Sequence, residues 1–177
     1  MRQSILRYFI SLLLVSLCIC SATSIFIISG SMKEDSEREM MYSVKLIEYN
    51  LDYSKDLNTQ IETLNPLAFS DDTRISVIDE KGKVLADTYK NDISSNHLKR
   101  EEVQQALHSS NHEGYAMRRS ETTNQPLLYA AYYKDTHIIR LSIPYSGVWG
   151  YFPELAPAFA ISILISILFS YIVARKL

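Results

Sequence analysis

The chain has 177 residues, of which 47% are hydrophobic and 21% charged, and its formal net charge at pH 7 is −2. Only five glycines occur, which disfavours the glycine-rich loops that cradle phosphates. Both cysteines, Cys18 and Cys20, lie in one apolar run, so the polar part of the chain has no disulfide and no thiolate chemistry.

Two apolar segments, one near each end of the chain, predict transmembrane helices at 8–29 and 153–174. Their uncharged runs, Tyr8–Ser29 and Leu155–Ala174, each reach the roughly 20 residues that a helix needs to cross a ~30 Å hydrocarbon layer. A cleaved signal peptide is the alternative for the first segment. Its apolar run, however, continues through Ile25–Ile28 and exceeds the ~7–15 residues typical of such peptides. An uncleaved anchor is therefore the preferred interpretation.

Flanking charge predicts the orientation of both segments. Basic residues stand at their outer ends: Arg2, Arg7, Arg175 and Lys176. Because positive charge stays on the cytoplasmic side, 1–7 and 175–177 are expected to be cytoplasmic and 30–152 extracytoplasmic, in a two-span cell-membrane protein. Residues 31–152 contain 14 lysines and arginines against 19 aspartates and glutamates, a net charge of −5. This acidity argues against nucleic acid as a partner.

The first part of the central region, 32–64, is predicted to form one long helix. An apolar stripe recurs there at spacings of four, three and four residues, at Met40, Val44, Ile47 and Leu51. Asn65-Pro66 ends the helix, because the residue before proline is pushed out of the helical region. Two interpretations of the stripe stay open: packing against its own domain, or a homodimer interface continuous with the membrane helix.

The remainder of the domain, 73–144, is predicted to be a mixed α/β region. Alternating β-branched runs predict strands at 73–79 and 84–87, joined by a tight turn in which Gly82 can adopt a positive φ. A short helix and three further strands follow, at 100–109, 114–120, 127–133 and 138–144. This order predicts an α+β fold with a five-stranded antiparallel sheet and segregated helices.

Five segments of this region resemble, in order, the single-Cache, PAS-like family of extracytoplasmic sensor domains: Arg74–Asp79, Gly82–Asp87, Glu101–Leu107, Leu128–Ala131 and Ile139–Pro144. With its two flanking spans, the whole chain is similar to the sensor region of membrane-bound two-component histidine kinases of the phosphate-regulation type from low-GC Gram-positive bacteria. The tail at 175–177 is similar to the junction where a HAMP linker starts.

The resemblance implies a function in signalling. An external stimulus, a small molecule or a membrane protein partner, would act on a homodimer and pass through the second span to a cytoplasmic HAMP and kinase region. The chain itself contains no phosphoacceptor-histidine helix and no ATP-binding motif, so it is expected to be neither an enzyme by itself nor a binder of cofactors. A response regulator would be reached only through the missing kinase region. The alternative is a stand-alone, membrane-anchored interaction protein.

Arginines supply the candidate ligand site. On a strand, Arg118 and Arg119 must point to opposite faces, so one of them can enter a pocket with Tyr129, Tyr133 and Arg140 from neighbouring strands. Arginine forks suit carboxylates and other small anions, which the resemblance implies as ligands. The alternative is a pair of surface arginines near a loop.

Metal binding and catalysis are not expected. His108 and His112 have the i, i+4 spacing of a helical metal site, but the residues between them are poor helix formers and no third ligand is evident. The acidic pair Glu101-Glu102 suits a helix start, since adjacent side chains cannot flank one substrate atom. No nucleophile, metalloprotease or phosphate-loop motif occurs.

Overall fold

The computed structural model describes residues 2–70, 72–89, 96–120 and 124–176. It divides into two compact units, one made of Met1–Met32 with Ser146–Leu177 and the other of Lys33–Tyr145. The boundaries predicted for the spans and the central domain stay predictions.

Long apolar helices dominate the first unit. Helix α1 runs from Arg2 to Asn50, and helix α4 runs from Phe152 to Lys176 after a 3₁₀ turn at Gly147–Tyr151. Within the described residues, two stretches, Val15–Asn50 and Gly147–Ile165, are long and apolar enough to cross a membrane, by length and composition alone. The large apolar side chains of 15–28 and of 149–165 are mostly exposed, which suits a surface covered by lipid rather than by protein.

The second unit contains a five-stranded antiparallel sheet in the order β2-β1-β5-β4-β3. The strands are β1 (Arg74–Asp79), β2 (Val84–Asp87), β3 (Glu113–Arg119), β4 (Pro126–Lys134) and β5 (His137–Pro144). Helices α2 (Leu57–Leu64) and α3 (Glu101–His108) and a 3₁₀ turn at Asn65–Leu67 complete the unit. The predicted fold class is confirmed: an α+β domain with a five-stranded antiparallel sheet and a long N-terminal helix.

The β1–β2 hairpin shows how local residues set the fold. Gly82 has φ of +81°, and the Asp79 carboxylate accepts hydrogen bonds from the backbone N–H groups of Lys81 (2.9 Å) and Lys83 (2.8 Å). A side chain at Gly82 would collide with Leu98, so only glycine satisfies both the turn and the packing. The turn therefore forms where the sequence predicts it.

Each face of the sheet carries its own apolar core. On one face, buried residues of α1 and α2 pack on the sheet, notably Met40, Val44, Ile47 and Ile61 against Ile75, Val77, Leu128 and Leu141. On the other face, Val103 and Ala106 of α3 pack against Ile78 and Ile138. Because strand residues alternate between faces, a β-branched run such as β1 supplies both cores.

This packing corrects the proposed role of the α1 stripe as a dimer helix. Met40, Val44 and Ile47 are fully buried, and Leu51 packs beside them, all within a single copy of the domain. These side chains stabilise their own domain, so the packing supports the first of the two interpretations of the stripe. The homodimer itself stays a prediction, and it would need another face.

The predicted continuous helix at 32–64 is also corrected, because the structure interrupts it between α1 and α2. The Asp52 carboxylate accepts hydrogen bonds from the Ser54 N–H (3.1 Å) and hydroxyl (2.6 Å), while the Gln60 side chain binds the Asp52 backbone N–H and C=O, each at 2.8 Å. The bonds from Ser54, with Lys55, lower the pKa of Asp52 to about 2. Asp56 then caps α2 through the Thr59 N–H. These side chains satisfy backbone groups that a helix would otherwise pair.

Two partly buried tyrosines in this unit, Tyr53 and Tyr115, differ in whether the hydroxyl forms a hydrogen bond. The Tyr53 ring stacks on His137 at 4.0 Å, but its hydroxyl is buried with no hydrogen bond to the described residues. Burial, with Glu48 and Asp135 nearby, raises the pKa of Tyr53 to about 12. The Tyr115 hydroxyl instead donates to Glu113 at 3.0 Å.

We expect Tyr53→Phe to be neutral or stabilising, because it removes an unsatisfied buried group. Tyr115→Phe should lower the free energy of unfolding by about 0.5–1.5 kcal/mol, because it removes a made hydrogen bond. Urea unfolding of both variants in detergent checks the pair. The opposite ranking would contradict the hydrogen-bond assignment.

Candidate functional site

A connected group of charged and polar side chains crosses the α3 face of the sheet, and all five strands contribute to it. We call it the arginine belt: Arg74, Ser76, Asp87, Glu102, Arg118, Tyr129 and Arg140. The register explains this convergence. Ser76 lies opposite Arg140, and Tyr129 lies opposite Ala116, two residues before Arg118 on the same face.

Glu102 of α3 lies at the centre of the belt. Its carboxylate accepts hydrogen bonds from both terminal nitrogens of Arg118, at 2.6 and 3.1 Å, and forms an ion pair with Arg140 at 3.6 Å. The Glu102 side chain is fully buried, and Arg140 is 3% exposed. A bidentate arginine–carboxylate contact is among the strongest neutral-pH interactions in a protein. The belt therefore attaches α3 to the sheet by charge as well as by apolar packing.

The second half of the belt continues from Arg140 towards strand β2. Arg140 Nη2 donates to the Ser76 hydroxyl at 3.0 Å, and that hydroxyl donates to Asp87 Oδ2 at 2.7 Å. The Asp87 carboxylate also accepts two hydrogen bonds from Arg74. Arg74 Nε lies 2.8 Å from Oδ1, and Nη2 lies 3.0 Å from Oδ2. The Ser76 hydroxyl thus links the buried Arg140 guanidinium to the buried Asp87 carboxylate through two hydrogen bonds.

Arg140 is incompletely paired within the belt. It shares the Glu102 carboxylate with Arg118, and its Nε has no hydrogen-bond partner among the described residues. Burial lowers the pKa of Arg140, although Glu102 opposes this effect. For Arg118, burial would also lower the pKa, but hydrogen bonds and charge attraction from Glu102 outweigh burial and raise it. Arg140 is therefore the less compensated cation.

Tyr129 forms the aromatic wall of the site. The Arg118 guanidinium carbon lies 3.6 Å from the centroid of the Tyr129 ring, and that of Arg140 lies 5.7 Å away. Both distances fall in the range of cation–π contacts, which tolerate a planar guanidinium stacked on the ring. The Tyr129 ring therefore contacts both guanidinium groups of the α3 face.

Three of the four predicted ligand residues come together in this belt: Arg118, Tyr129 and Arg140. Tyr133 does not, because it lies four residues beyond Tyr129, about 13 Å along an extended strand. Its hydroxyl contacts Glu80 at 2.5 Å, and its ring meets His112 edge to face at 5.5 Å. Whether the three clustered residues bind a ligand stays a prediction.

Sequence reasoning missed Arg74, Ser76, Asp87 and Glu102. A signal existed for Glu102, because it lies four residues before the buried Ala106 and next to the buried Val103, on the apolar side of α3. Asp87 and Arg74 carry no such periodic signal, since their partnership depends on the pairing of β1 with β2.

The histidine pair does not form a helical metal site. Helix α3 ends at His108, whose Nδ1 lies 2.8 Å from the Gln104 carbonyl, and His112 follows with φ of +59°. Within the part of the chain that the structure describes, no group of three or more histidine, cysteine or acidic side chains could hold a metal ion.

Comparison with known proteins identifies structural neighbours only: no protein-family model matches the chain, and no curated protein matches it. One neighbour is the Bacillus subtilis YkuI protein, which has an EAL domain and was solved with c-di-GMP and calcium. It is 18% identical with a TM-score of 0.51, and the match covers 72% of this chain and 36% of that protein. This chain thus spans about a third of that neighbour's length. At this identity the likeness shows the fold alone.

Two further neighbours are chemoreceptors with lower scores. A methyl-accepting chemotaxis protein from Vibrio parahaemolyticus has a TM-score of 0.48 at 18% identity, covering 70% of this chain and 97% of that one. The other is the ligand-binding domain of Campylobacter jejuni chemoreceptor Tlp3, solved with 4-methylisoleucine. Its TM-score is 0.48 at 16% identity, and the match covers 68% of this chain and 55% of that one. Scores below 0.5 are too low to add support.

Proposed function

We propose that this chain is the extracytoplasmic sensor and membrane-anchor region of a two-component sensor histidine kinase of the phosphate-regulation type, and that a small anion is its stimulus. The observation that carries the proposal is the arginine belt of a PAS-like domain, in which the buried Arg140 shares the Glu102 carboxylate with Arg118 and has an Nε without a hydrogen-bond partner among the described residues. The apolar helices α1 and α4 and the resemblance of the sequence support the membrane and kinase parts.

A mechanism follows from the place of Glu102. Its carboxylate already occupies the groups of Arg118 and Arg140 that an anion would use, so α3 stays attached in the absence of ligand. A carboxylate-bearing or similar small anion would compete with Glu102 for these guanidinium groups. The belt would then have two arrangements, with Glu102 bound or displaced, and a stimulus shifts their populations only if it favours one of them.

Ligand binding tests the stimulus directly. Thermal unfolding of the full chain in lipid nanodiscs is measured with inorganic phosphate and with a panel of small carboxylates, amines and neutral solutes. The readout is the shift in melting temperature that each solute causes. A ligand present at 100 times its Kd should stabilise the folded state by about 2.7 kcal/mol. Arg118→Gln should abolish the shift, whereas Arg119→Gln, an exposed neighbour bonded to the Asn124 carbonyl, should retain it. If amines or neutral solutes stabilise the chain and anions do not, the anion proposal fails.

Signalling needs a second experiment. Residues 1–177 are fused to the HAMP and kinase region of a well-behaved histidine kinase, and phosphate transfer to its response regulator is measured. The active anion should change this transfer in the wild-type fusion and leave the Arg118→Gln fusion unchanged. Binding without any change in transfer would favour the stand-alone interaction protein.

Sidedness gives a separate prediction. In a Cys18→Ser, Cys20→Ser background, Lys99→Cys should react with a membrane-impermeant maleimide in intact cells, because Lys99 is exposed in the central domain. Gln3→Cys should react only after permeabilisation, since the basic flank places it inside. The reverse pattern would invert the proposed topology.

A further inference from the structure

A cluster of basic residues lies at one corner of the second unit, where the β1–β2 turn meets the loop before α3. We call it the basic corner: Lys81, Lys83, Lys99 and Arg100. The three lysines are exposed, and Arg100 is partly buried. None of these residues belongs to the arginine belt, so the corner is a second concentration of positive charge, on the surface of the domain.

Hydrogen bonds bring the two segments of the corner together. The Asn96 side chain donates to the Lys81 carbonyl at 2.7 Å, and the His97 N–H donates to the Gly82 carbonyl, also at 2.7 Å. Lys83 and Asn96 also form a β-bridge. The turn and the loop therefore form one surface that carries all four basic side chains.

Charge pairing distinguishes this corner from the rest of the domain. Among the described residues of 33–145, the lysines and arginines that form an ion pair with a carboxylate are Lys33, Arg38, Lys45, Lys55, Arg74, Arg118, Lys134 and Arg140. Arg119 instead donates to the Asn124 carbonyl at 3.0 Å. No corner residue forms an ion pair with a described carboxylate. The corner is thus a group of uncompensated cations in a region that is acidic overall.

The carboxylates nearest to the corner along the chain accept hydrogen bonds from other donors. Asp79 accepts two from backbone N–H groups of its own turn, at 2.9 and 2.8 Å. Glu80 accepts one from the Tyr133 hydroxyl at 2.5 Å, and Glu101 accepts one from the Gln105 side chain at 3.2 Å. The ammonium and guanidinium groups of the corner are therefore available to an external anion.

We propose that the basic corner binds a linear polyanion that carries phosphate groups along its chain. The charged groups stand on two surface segments, so each can contact a different group of one flexible polymer. Lysine binds phosphate as a compact point charge. Several such contacts within one polymer add up to an affinity that a single phosphate lacks. The partner is recognised by its charge density and length.

The composition of the corner favours a polymer over a membrane surface. Surfaces that bind anionic lipid usually combine basic residues with apolar side chains that enter the head-group region. Neither 79–83 nor 96–100 exposes a large apolar side chain, and Leu98 is partly buried. Charge alone is therefore the basis of recognition at this surface.

Binding of inorganic polyphosphate to the full chain in neutral-lipid nanodiscs tests the proposal. For four phosphate contacts, log K should fall with log salt at a slope of about −3, so that affinity drops about 50-fold between about 50 and 200 mM salt. Lys81→Gln combined with Lys83→Gln should halve this slope and weaken binding at low salt at least about tenfold. Lys99→Gln combined with Arg100→Gln should have the same effect, because both segments contribute two cations.

Lys33→Gln combined with Arg38→Gln is the matched control, since it removes the same charge from residues that are already ion-paired. This variant should retain wild-type binding, and thermal unfolding of every variant should match the wild type. Arg118→Gln should also retain polyphosphate binding, which separates this surface from the proposed stimulus site. An equal loss in the control, equal binding of orthophosphate at the same total phosphate, tighter binding of poly-glutamate, or displacement of polyphosphate by anionic vesicles would overturn the proposal.

Discussion

Replacing Glu102 by glutamine is expected to lower the free energy of unfolding by roughly 3–5 kcal/mol, the cost typical of removing one partner from a buried ion pair. The Glu102 carboxylate is fully buried and compensates both Arg118 and Arg140. Without its charge, Arg140 stays buried beside a neutral amide that cannot compensate the guanidinium charge. Helix α3 should then detach from the sheet first, because Glu102 is its charged attachment.

Urea unfolding followed by near-ultraviolet circular dichroism, with hydrogen exchange of the α3 and β5 amides, measures this effect. Glu101→Gln is the matched control: the residue is adjacent and exposed, and we expect a change within about 0.5 kcal/mol. Combining Glu102→Leu with Arg140→Met should recover most of the lost stability, because a buried pair replaced by apolar groups is often neutral. A Glu102→Gln variant as stable as Glu101→Gln would show that the belt contributes little to stability.

Gly114→Ala is expected to destabilise the domain, because the added methyl group meets the backbone of α3. A Cβ at Gly114 would overlap the Glu102 carbonyl oxygen and lie 2.7 Å from the Ala106 backbone nitrogen. Both are backbone atoms of α3, so no side-chain rotation relieves the clash and the whole helix must shift. Overpacking of this kind costs about 1–3 kcal/mol, and we expect the upper end.

Gly30→Ala is the control for this prediction. Nothing lies within 4 Å of a Cβ at Gly30, which is inside helix α1, so the change should be neutral or stabilising by up to about 1 kcal/mol. Because Gly114→Ala moves α3, it should also alter the hydrogen exchange of the Tyr115 amide, which bonds to the Gln105 side chain. Equal stability of the two variants would contradict the close approach of α3 to β3.

Most of the fold could be predicted from local patterns. Strand β2 begins and ends at the predicted residues, Val84 and Asp87, and each of the other four strands differs by one residue at one or both ends. These patterns suffice because β-branched alternation and a turn glycine act over a few residues. The break between α1 and α2 was missed because it depends on the Gln60 side chain reaching back eight residues to Asp52.

The candidate site was predicted only in part, for a physical reason. Its arginines are visible as residue types, whereas the pairing of the strands is what brings Arg118, Tyr129 and Arg140 to one face. Their carboxylate partners, Asp87 and Glu102, come from other elements, and Glu102 was interpreted as a solvated helix start.

The sequence by itself determined the order of the five strands and of the short helix α3, the α+β fold and the apolar segments. Only the tertiary structure decided where the α1 stripe packs and which charges meet. Apolar periodicity marks a buried face without naming what covers it, and charge pairing depends on distances that exist only after strands and helices have packed. The stripe consequently belongs to the domain core, and Glu102 compensates Arg118 and Arg140.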